Sequence, residues 1–309
     1  MKPVKSTLLL SVLSALSFNA QADVTVYGKA NVSVQSSDEG EGSVTELKSN
    51  TSRFGFKGGE KLDNNLEVFY RFEFQVDITD ADSKGDKDNI TARNQYVGVK
   101  GNFGEVLIGR KDTVFKLSQG RVDLFNDVEG DIKNHLKGEN RLGNSITYNS
   151  NSFNGFKVHG TFIAEDDAEG ENGYSAALSY GDSKLKKSNI YGAISADSDV
   201  KGYDAVRLTV QGKVADVKLG AIYQTQERVD GSDKADGYVL SASYKMGANT
   251  LKAQYQVMDF DQGDKIDGVS VGIDHKLNKV TKIYGFYTSF DGDNQVERDY
   301  LAVGFEYKF

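Results

Sequence analysis

The stretch LEVFYRFEFQVD, Leu66 to Asp77, decides the fold class. Leu66, Val68, Tyr70, Phe72, Phe74 and Val76 fall on one parity, while Glu67, Phe69, Arg71, Glu73, Gln75 and Asp77 fall on the other. Successive side chains of an extended strand point to opposite faces, so a period of two puts a greasy face opposite a mostly charged one. The same alternation returns in GYVLSASYKM (237–246), TLKAQYQV (250–257), FKVHGTFIA (156–164) and VKLGAIYQTQ (217–226). It is blurred in KIYGFYTSF (282–290), where both parities carry aromatics.

Reading outward in this way predicts about sixteen strands, near 24–35, 52–60, 65–77, 91–101, 104–111, 143–149, 155–165, 173–181, 184–196, 203–212, 215–226, 236–246, 249–260, 268–277, 279–290 and 298–309. Short links such as KLDN (61–64), GNFG (101–104), MGAN (246–249) and LNK (277–279) alternate with longer polar ones at 36–51, 77–90, 227–236 and 260–268. An even strand number with loops sorted by length toward two ends is the pattern of a transmembrane antiparallel β-barrel. A soluble sandwich has no reason to sort its loops.

Composition agrees. Lys2 and Lys5 precede an apolar run from Leu8 to Phe18 that ends in Ala20-Gln21-Ala22, which reads as a secretory signal peptide over 1–22. Its loss would move the formal charge from −8 to −10 and remove Pro3, leaving a chain without Pro, Cys or Trp. An exported chain without cysteine has no disulfide framework and no thiolate metal site, and the lack of proline suits a continuous hydrogen-bonded ladder. The mean hydropathy of −0.49 is that of a soluble protein, as it is for a barrel in which half of each strand faces a polar lumen. No linker or composition break divides residues 23–309, so a single domain is expected.

One segment departs from the rhythm. Between 112 and 142 the strand pattern stops, and GRVDLFNDVEGDIKNHLKGENRLGNS (120–145) brings Asp123, Asp127, Glu129, Asp131 and Glu139. Loops of that length without structure of their own usually serve a function. At the other extreme, the chain ends in LAVGFEYKF, with Leu301, Val303, Phe305, Tyr307 and Phe309 on one face.

Several motifs together, DVTVYGKANVSV (23–34), SRFGFKG (52–58), ARNQYVGVKGNFGEVLIGR (92–110), NRLGNSITYNSNSFNGF (140–156) and the terminal Phe309, make the chain resemble the general diffusion porins of Gram-negative outer membranes over its mature length. The resemblance implies an all-β, sixteen-stranded barrel in the outer membrane and a homotrimer surrounded by lipid. It further implies a third outer loop, here 112–142, folded into the lumen, and a terminal signal (Phe305, Tyr307, Phe309) read by the barrel assembly machinery. It also implies loop acids facing wall arginines across the narrowest part of the pore. By motif, Arg53, Arg93 and Arg141 take the wall positions. Parity independently directs Arg53 and Lys57 away from Phe54 and Phe56, into the lumen, and puts Arg71 on the same face as Glu73. The loop reads DLFND where enterobacterial members carry a Pro-Glu-Phe-Gly type tip, so Asp123 and Asp127 are approximate counterparts of the family's acids.

The expected function is passive diffusion of ions and small hydrophilic solutes, with no cofactor, metal or nucleic acid. The acid-rich loop and negative net charge lead us to expect moderate cation preference, because fixed charge at a low-dielectric waist biases ion passage. A sugar-specific channel is the nearest rival; it ranks lower because most Tyr and Phe fall on the lipid parity. An enzyme is disfavoured. Of the three histidines, His135 lies in the loop, His159 shares its face with Lys157 and Thr161, and His275 and its neighbour Asp274 point to opposite faces, so they form no dyad.

Overall fold

A computed structural model describes residues 24–79, 89–167, 170–293 and 297–309. The expected signal peptide, 1–22, lies outside the described residues, as does most of the outer connection 77–90. Seventeen strands follow in order: β1 (Thr25–Asp38), β2 (Ser43–Ser49), β3 (Arg53–Lys61), β4 (Glu67–Val76), β5 (Ile90–Gly101) and β6 (Gly104–Asp112). After the long loop come β7 (Arg141–Asn149), β8 (Phe156–Ile163), β9 (Gly173–Gly181), β10 (Ile190–Ser198), β11 (Tyr203–Val214) and β12 (Val217–Arg228). The last five are β13 (Ala235–Met246), β14 (Asn249–Phe260), β15 (Lys265–Lys276), β16 (Thr281–Gly292) and β17 (Arg298–Lys308).

All belong to one antiparallel sheet, each strand pairing with its sequence neighbour, and β1 pairs with β17 to close the cylinder. β2 and β3 pair with successive halves of β1, Val32 opposite Ser49 and Lys29 opposite Arg53, so they are one wall position and the barrel has sixteen. The interruption sits where the Ser52 hydroxyl takes over the ladder, accepting from Asn31 N at 2.9 Å and donating to Asn31 O at 3.1 Å.

The expected link at 36–51 is therefore mostly strand; β2 went unread because Leu47 is the one large apolar residue on its outer parity. Likewise the strand expected at 184–196 begins at Ile190, because residues 182–189 fold into a structured turn. Asp182 accepts the amides of Lys184, Lys186 and Lys187 at 3.0, 2.9 and 3.0 Å there, and Leu185 is buried. Long strands leave short links at both rims, so the loop sorting is weaker than read from sequence and rests on the connections near 77–89, 113–140 and 164–172.

The two faces are inverted relative to a soluble protein. On β11, Arg207, Thr209 and Gln211 are buried inside while Val206, Leu208 and Val210 are about half exposed outside. Apolar out and polar in is stable only with hydrocarbon as the outer solvent, and closure leaves no unpaired edge there. The C-terminus completes the seam. Phe305, Tyr307 and Phe309 face outward, and Phe309 exchanges backbone bonds with Gly28 at 2.9 and 3.2 Å. A Cβ at Gly28 would lie 2.1 Å from the Phe309 ring, so only glycine admits the terminal aromatic.

Candidate pore constriction

Residues 113–140 lie inside the barrel against one wall. The loop begins with the short helix α1 (Val114–Ser118), capped by the Thr113 hydroxyl accepting from Lys116 N. Its apolar side chains then seek cover that the lumen provides in two places. Val122, Ile132 and Leu136 pack with Ile222, Ala235, Val239 and Met258, while Phe125 packs with Tyr284, Phe286, Phe290, Tyr300 and Ala302. These wall residues are the apolar side chains on the lumen parity of β12 to β17. They account for the blurred pattern of KIYGFYTSF: Tyr284, Phe286 and Phe290 face inward because a loop covers them. Burying each large loop side chain stabilises docking by about 1.5–3 kcal/mol before ordering entropy is charged against it.

Lumenal glutamines hold the loop backbone, which has no ladder of its own. Gln211, Gln254 and Gln226 accept from the amides of Arg121 (2.8 Å), Leu124 (2.8 Å) and Lys137 (2.9 Å). Gln224 donates to Lys137 O at 3.0 Å, and Gln254 donates to Gly130 O at 2.8 Å. An amide side chain carries both a donor and an acceptor, so it can satisfy a peptide group as a neighbouring strand would. Sequence reading missed this rail. Its trace is Gln on the lumen parity at QTQ (224–226) and QYQ (254–256).

The five loop acids separate into two groups. Asp127 meets the wall: its carboxylate lies 2.8 Å from Lys29 Nζ and 3.6 Å from Arg53 Nη1. Burial would raise its pKa, but the Lys29 ammonium, followed by Arg53, outweighs that and holds it at about 2. Glu129 lies 3.6 Å from Lys48 Nζ and accepts from Gln35 at 3.1 Å. The other three do not pair with Arg53, Arg93 or Arg141. Asp123 is buried within the loop, accepting from Phe125 N at 3.0 Å and Asn126 at 3.2 Å, and burial, reinforced by Asp131 and Glu139, pushes its pKa well above the usual carboxylate range. Asp131 caps a turn, accepting from Lys133 N at 2.9 Å. Glu139 pairs at 2.8 Å with Arg207 on the covered wall, and both side chains are buried. Of the five acids expected along one side of the waist, Asp127 and Glu129 reach wall cations, while Asp123, Asp131 and Glu139 serve the loop's own amides and its docking face.

The opposite wall carries the cations. Arg93 pairs with Glu73 at 3.0 Å and Arg141 with Asp112 at 2.9 Å, so their counter-charges come from the barrel and not from the loop. Lys116 adds to Asp112 at 3.5 Å. Arg71 lies over the rings of Tyr27 and Tyr96, 5.8 and 5.9 Å from their centroids, and Lys57 lies 5.5 Å over Tyr27. Lys57 and Arg71 are direct cross-strand partners. Among the described residues neither makes an ion pair. Glu73, already placed on the lumen face with Arg71, joins this network with Lys29, Asp112 and Arg207, which were not singled out from sequence; only their lumen parity marks them. The histidines form no dyad: His159 bonds Asn149 (2.6 Å) and Ser179 (3.0 Å), and His275 bonds Asn249 (2.7 Å) while Asp274 serves Lys252 and Lys282.

A closed barrel with a greasy exterior, a polar bore and an inward loop pinned to its wall by charge defines a membrane channel protein. Comparison with known proteins places it further: residues 6–295 match the family model described as Gram-negative porin, and the chain belongs to that family. It is 32% identical over 178 residues to the major outer membrane protein P.IB of Neisseria sicca, an alignment spanning 53% of this chain and 48% of that one. It is also 26% identical to P.IB of Neisseria meningitidis serogroup B (strain H44/76), over 99% of this chain and 100% of the relative. Among solved structures, the anion-selective porin from Comamonas acidovorans superposes with a TM-score of 0.76 at 20% identity, covering 94% of this chain and all of that one. Salmonella typhi OmpF in complex with daunomycin gives 0.76 at 15% identity, covering 93% and 97%. The protein is an outer-membrane porin, and its family and fold are those of a channel, not an enzyme.

Proposed function

We propose that the protein is a homotrimeric, water-filled channel for passive diffusion of ions and small hydrophilic solutes, with its short-turn rim in the periplasm. In this reading residues 1–22 are a cleaved leader and 23–309 form one barrel domain whose terminal Phe305, Tyr307 and Phe309 are read by the assembly machinery. The observation that supports diffusion is the inward loop, anchored to one wall by glutamines and apolar contacts and pinned at its tip by Asp127, which leaves the β3 to β8 wall as the side of passage.

The waist also supports a sign of selectivity. Lys29, Arg53, Arg93, Arg141 and Lys116 are set against Asp127, Glu306, Glu73 and Asp112, with Lys57 and Arg71 unmatched beside them. This local balance is basic although the chain as a whole is acidic. Because a low-dielectric constriction weights the nearest charges most, the geometry favours modest anion preference over the cation preference expected from the acid count. The zero-current potential in a KCl gradient across a planar bilayer tests both: an anion-signed potential supports the waist reading, and a cation-signed one returns the decision to the acidic outer mouth. A sugar-specific channel has less support, since Tyr284, Phe286 and Phe290 are covered by the loop. Liposome swelling that follows solute size and not stereochemistry is the expected result.

A further inference from the structure

We propose that the inner edge of the short-turn rim, on the wall away from the waist cations, is a binding site for compact polyvalent anions, built from Lys213, Lys218, Lys276, Lys186 and Arg121. Lys213 and Lys218 sit directly opposite each other across β11 and β12. Like charges in that register oppose strand pairing, so the pair is costly unless something anionic visits it. Lys218 shares its parity with Ile222 and Gln224, and Lys213 shares its own with Thr209 and Gln211, so both point into the barrel. Lys213, Arg121, Lys276 and Lys186 lie within electrostatic reach of Lys218.

Five separate elements supply these groups: β11, β12, β15, the inward loop and the β9–β10 turn. Among the described residues none of the five makes an ion pair, whereas Lys252 and Lys282 nearby share Asp274 at 3.1 and 3.0 Å. The acid of the β9–β10 turn is occupied, since Asp182 accepts three of that turn's own amides. The turn itself is tied to the rim by Gln211 donating to Ser183 O at 2.6 Å, with Lys184, Lys186 and Lys187 left exposed. Asp216, in the β11–β12 turn, is solvent-exposed.

Cations within a Debye length of about 8 Å act jointly on one ligand. A monovalent anion gains from the set only once, but a compact polyvalent one, an oligophosphate or a tricarboxylate, gains with each charge, and lysine serves such groups as a point charge. The opposite rim is unsuited, with Glu41, Asp166, Asp230 and Asp261 exposed there. The site is therefore one-sided, and its occupant lies across the short-turn mouth. The inference rests on the channel reading above.

The test adds tripolyphosphate to one side of a planar bilayer containing the refolded full-length protein at low KCl, and citrate in a parallel series. The chain has no cysteine among its described residues, so Asp216→Cys with an impermeant thiol reagent reports which rim faces which chamber. Conductance should fall at a concentration at least tenfold lower from the short-turn side. The triple variant Lys213→Gln/Lys218→Gln/Lys276→Gln should lose that difference, with block scored as the fraction of each protein's own unblocked conductance. Equal block from both sides overturns the proposal, as does block that survives in the triple variant or disappears instead in Arg53→Gln/Arg93→Gln. If the protein conducts nothing, the diffusion reading fails; calorimetric titration of the detergent-solubilised protein with tripolyphosphate, wild type against triple variant, then decides the site by itself.

Discussion

Protonation of His135 should work against docking of the inward loop between pH 6.5 and 4. The ring is buried in the loop, 4.9 Å from the Phe290 ring, with the Gln256 side chain beside it. Burial, with the Arg298 charge adding to it, pushes its pKa from 6.5 down to about 4. When the loop lifts off, the ring meets water and its ordinary pKa returns, so the undocked state binds the proton more readily. The docked state is at full advantage above pH 6.5, loses about 1.4 kcal/mol per pH unit below that, and levels off near pH 4, a total of about 3 kcal/mol. Asp127 does not interfere in this window, because its contribution is full above pH 3.8 and is lost only as the pH falls from there through about 2. Asp123 and Glu139 act in the opposite sense, since burial raises both and so favours the docked state as acid is added; the informative quantity is therefore a difference between proteins. His135→Phe keeps a ring against Phe290 and removes the proton. Hydrogen–deuterium exchange of residues 122–137, corrected for the intrinsic pH dependence of exchange, should show protection falling more steeply with acid in the wild type than in the variant. Equal slopes in the two proteins would refute the assignment.

Other consequences of the geometry can be measured in the same preparation. Asp127→Asn leaves Lys29, only 6% exposed, facing Glu306 at 3.9 Å as its remaining acid; losing one member of a buried pair costs about 3 kcal/mol, expected as faster exchange of residues 124–131 with the barrel's melting temperature nearly unchanged. Gln254→Leu removes both the acceptor for Leu124 N and a donor to Gly130 O, and should weaken docking by about 2–3 kcal/mol, read as protease cleavage within 121–137 in folded protein. Gly138→Ala asks an L residue to hold φ +88° with its Cβ 2.3 Å from the Phe115 ring. The loop root must then move, and single-channel records should show more frequent closures than wild type. Gly28→Ala, which displaces the Phe309 ring, should slow refolding into the heat-resistant barrel, whereas Gly42→Ala, with φ +100° but open space around it, should not alter that seam.

The strand parity of nearly the whole wall was legible in the sequence, because a lipid-facing side chain must be apolar and a lumenal one need not be. Leu66 to Asp77 shows this rule at its plainest. For the same reason Arg53, Lys57, Arg71 and Glu73 could be placed inside without a structure. The rule failed at β2, where one leucine was too little signal, and blurred at β16, where Phe286 and Phe290 obey a loop far away in sequence. What the sequence could not decide was the destination of each acid in 120–145. Asp123, Asp127, Asp131 and Glu139 are chemically alike and only a few residues apart, yet one pins the tip, two satisfy amides inside the loop and one neutralises Arg207. Those roles depend on which wall the loop lies against, and that follows from apolar and glutamine side chains on β11 to β17 that period two marks only as inward. Local alternation therefore determined the barrel, because it is a property of each strand alone. The tertiary structure decided the charge of the waist, because each counter-ion there is chosen by which distant chain segment closure brings within a few ångströms.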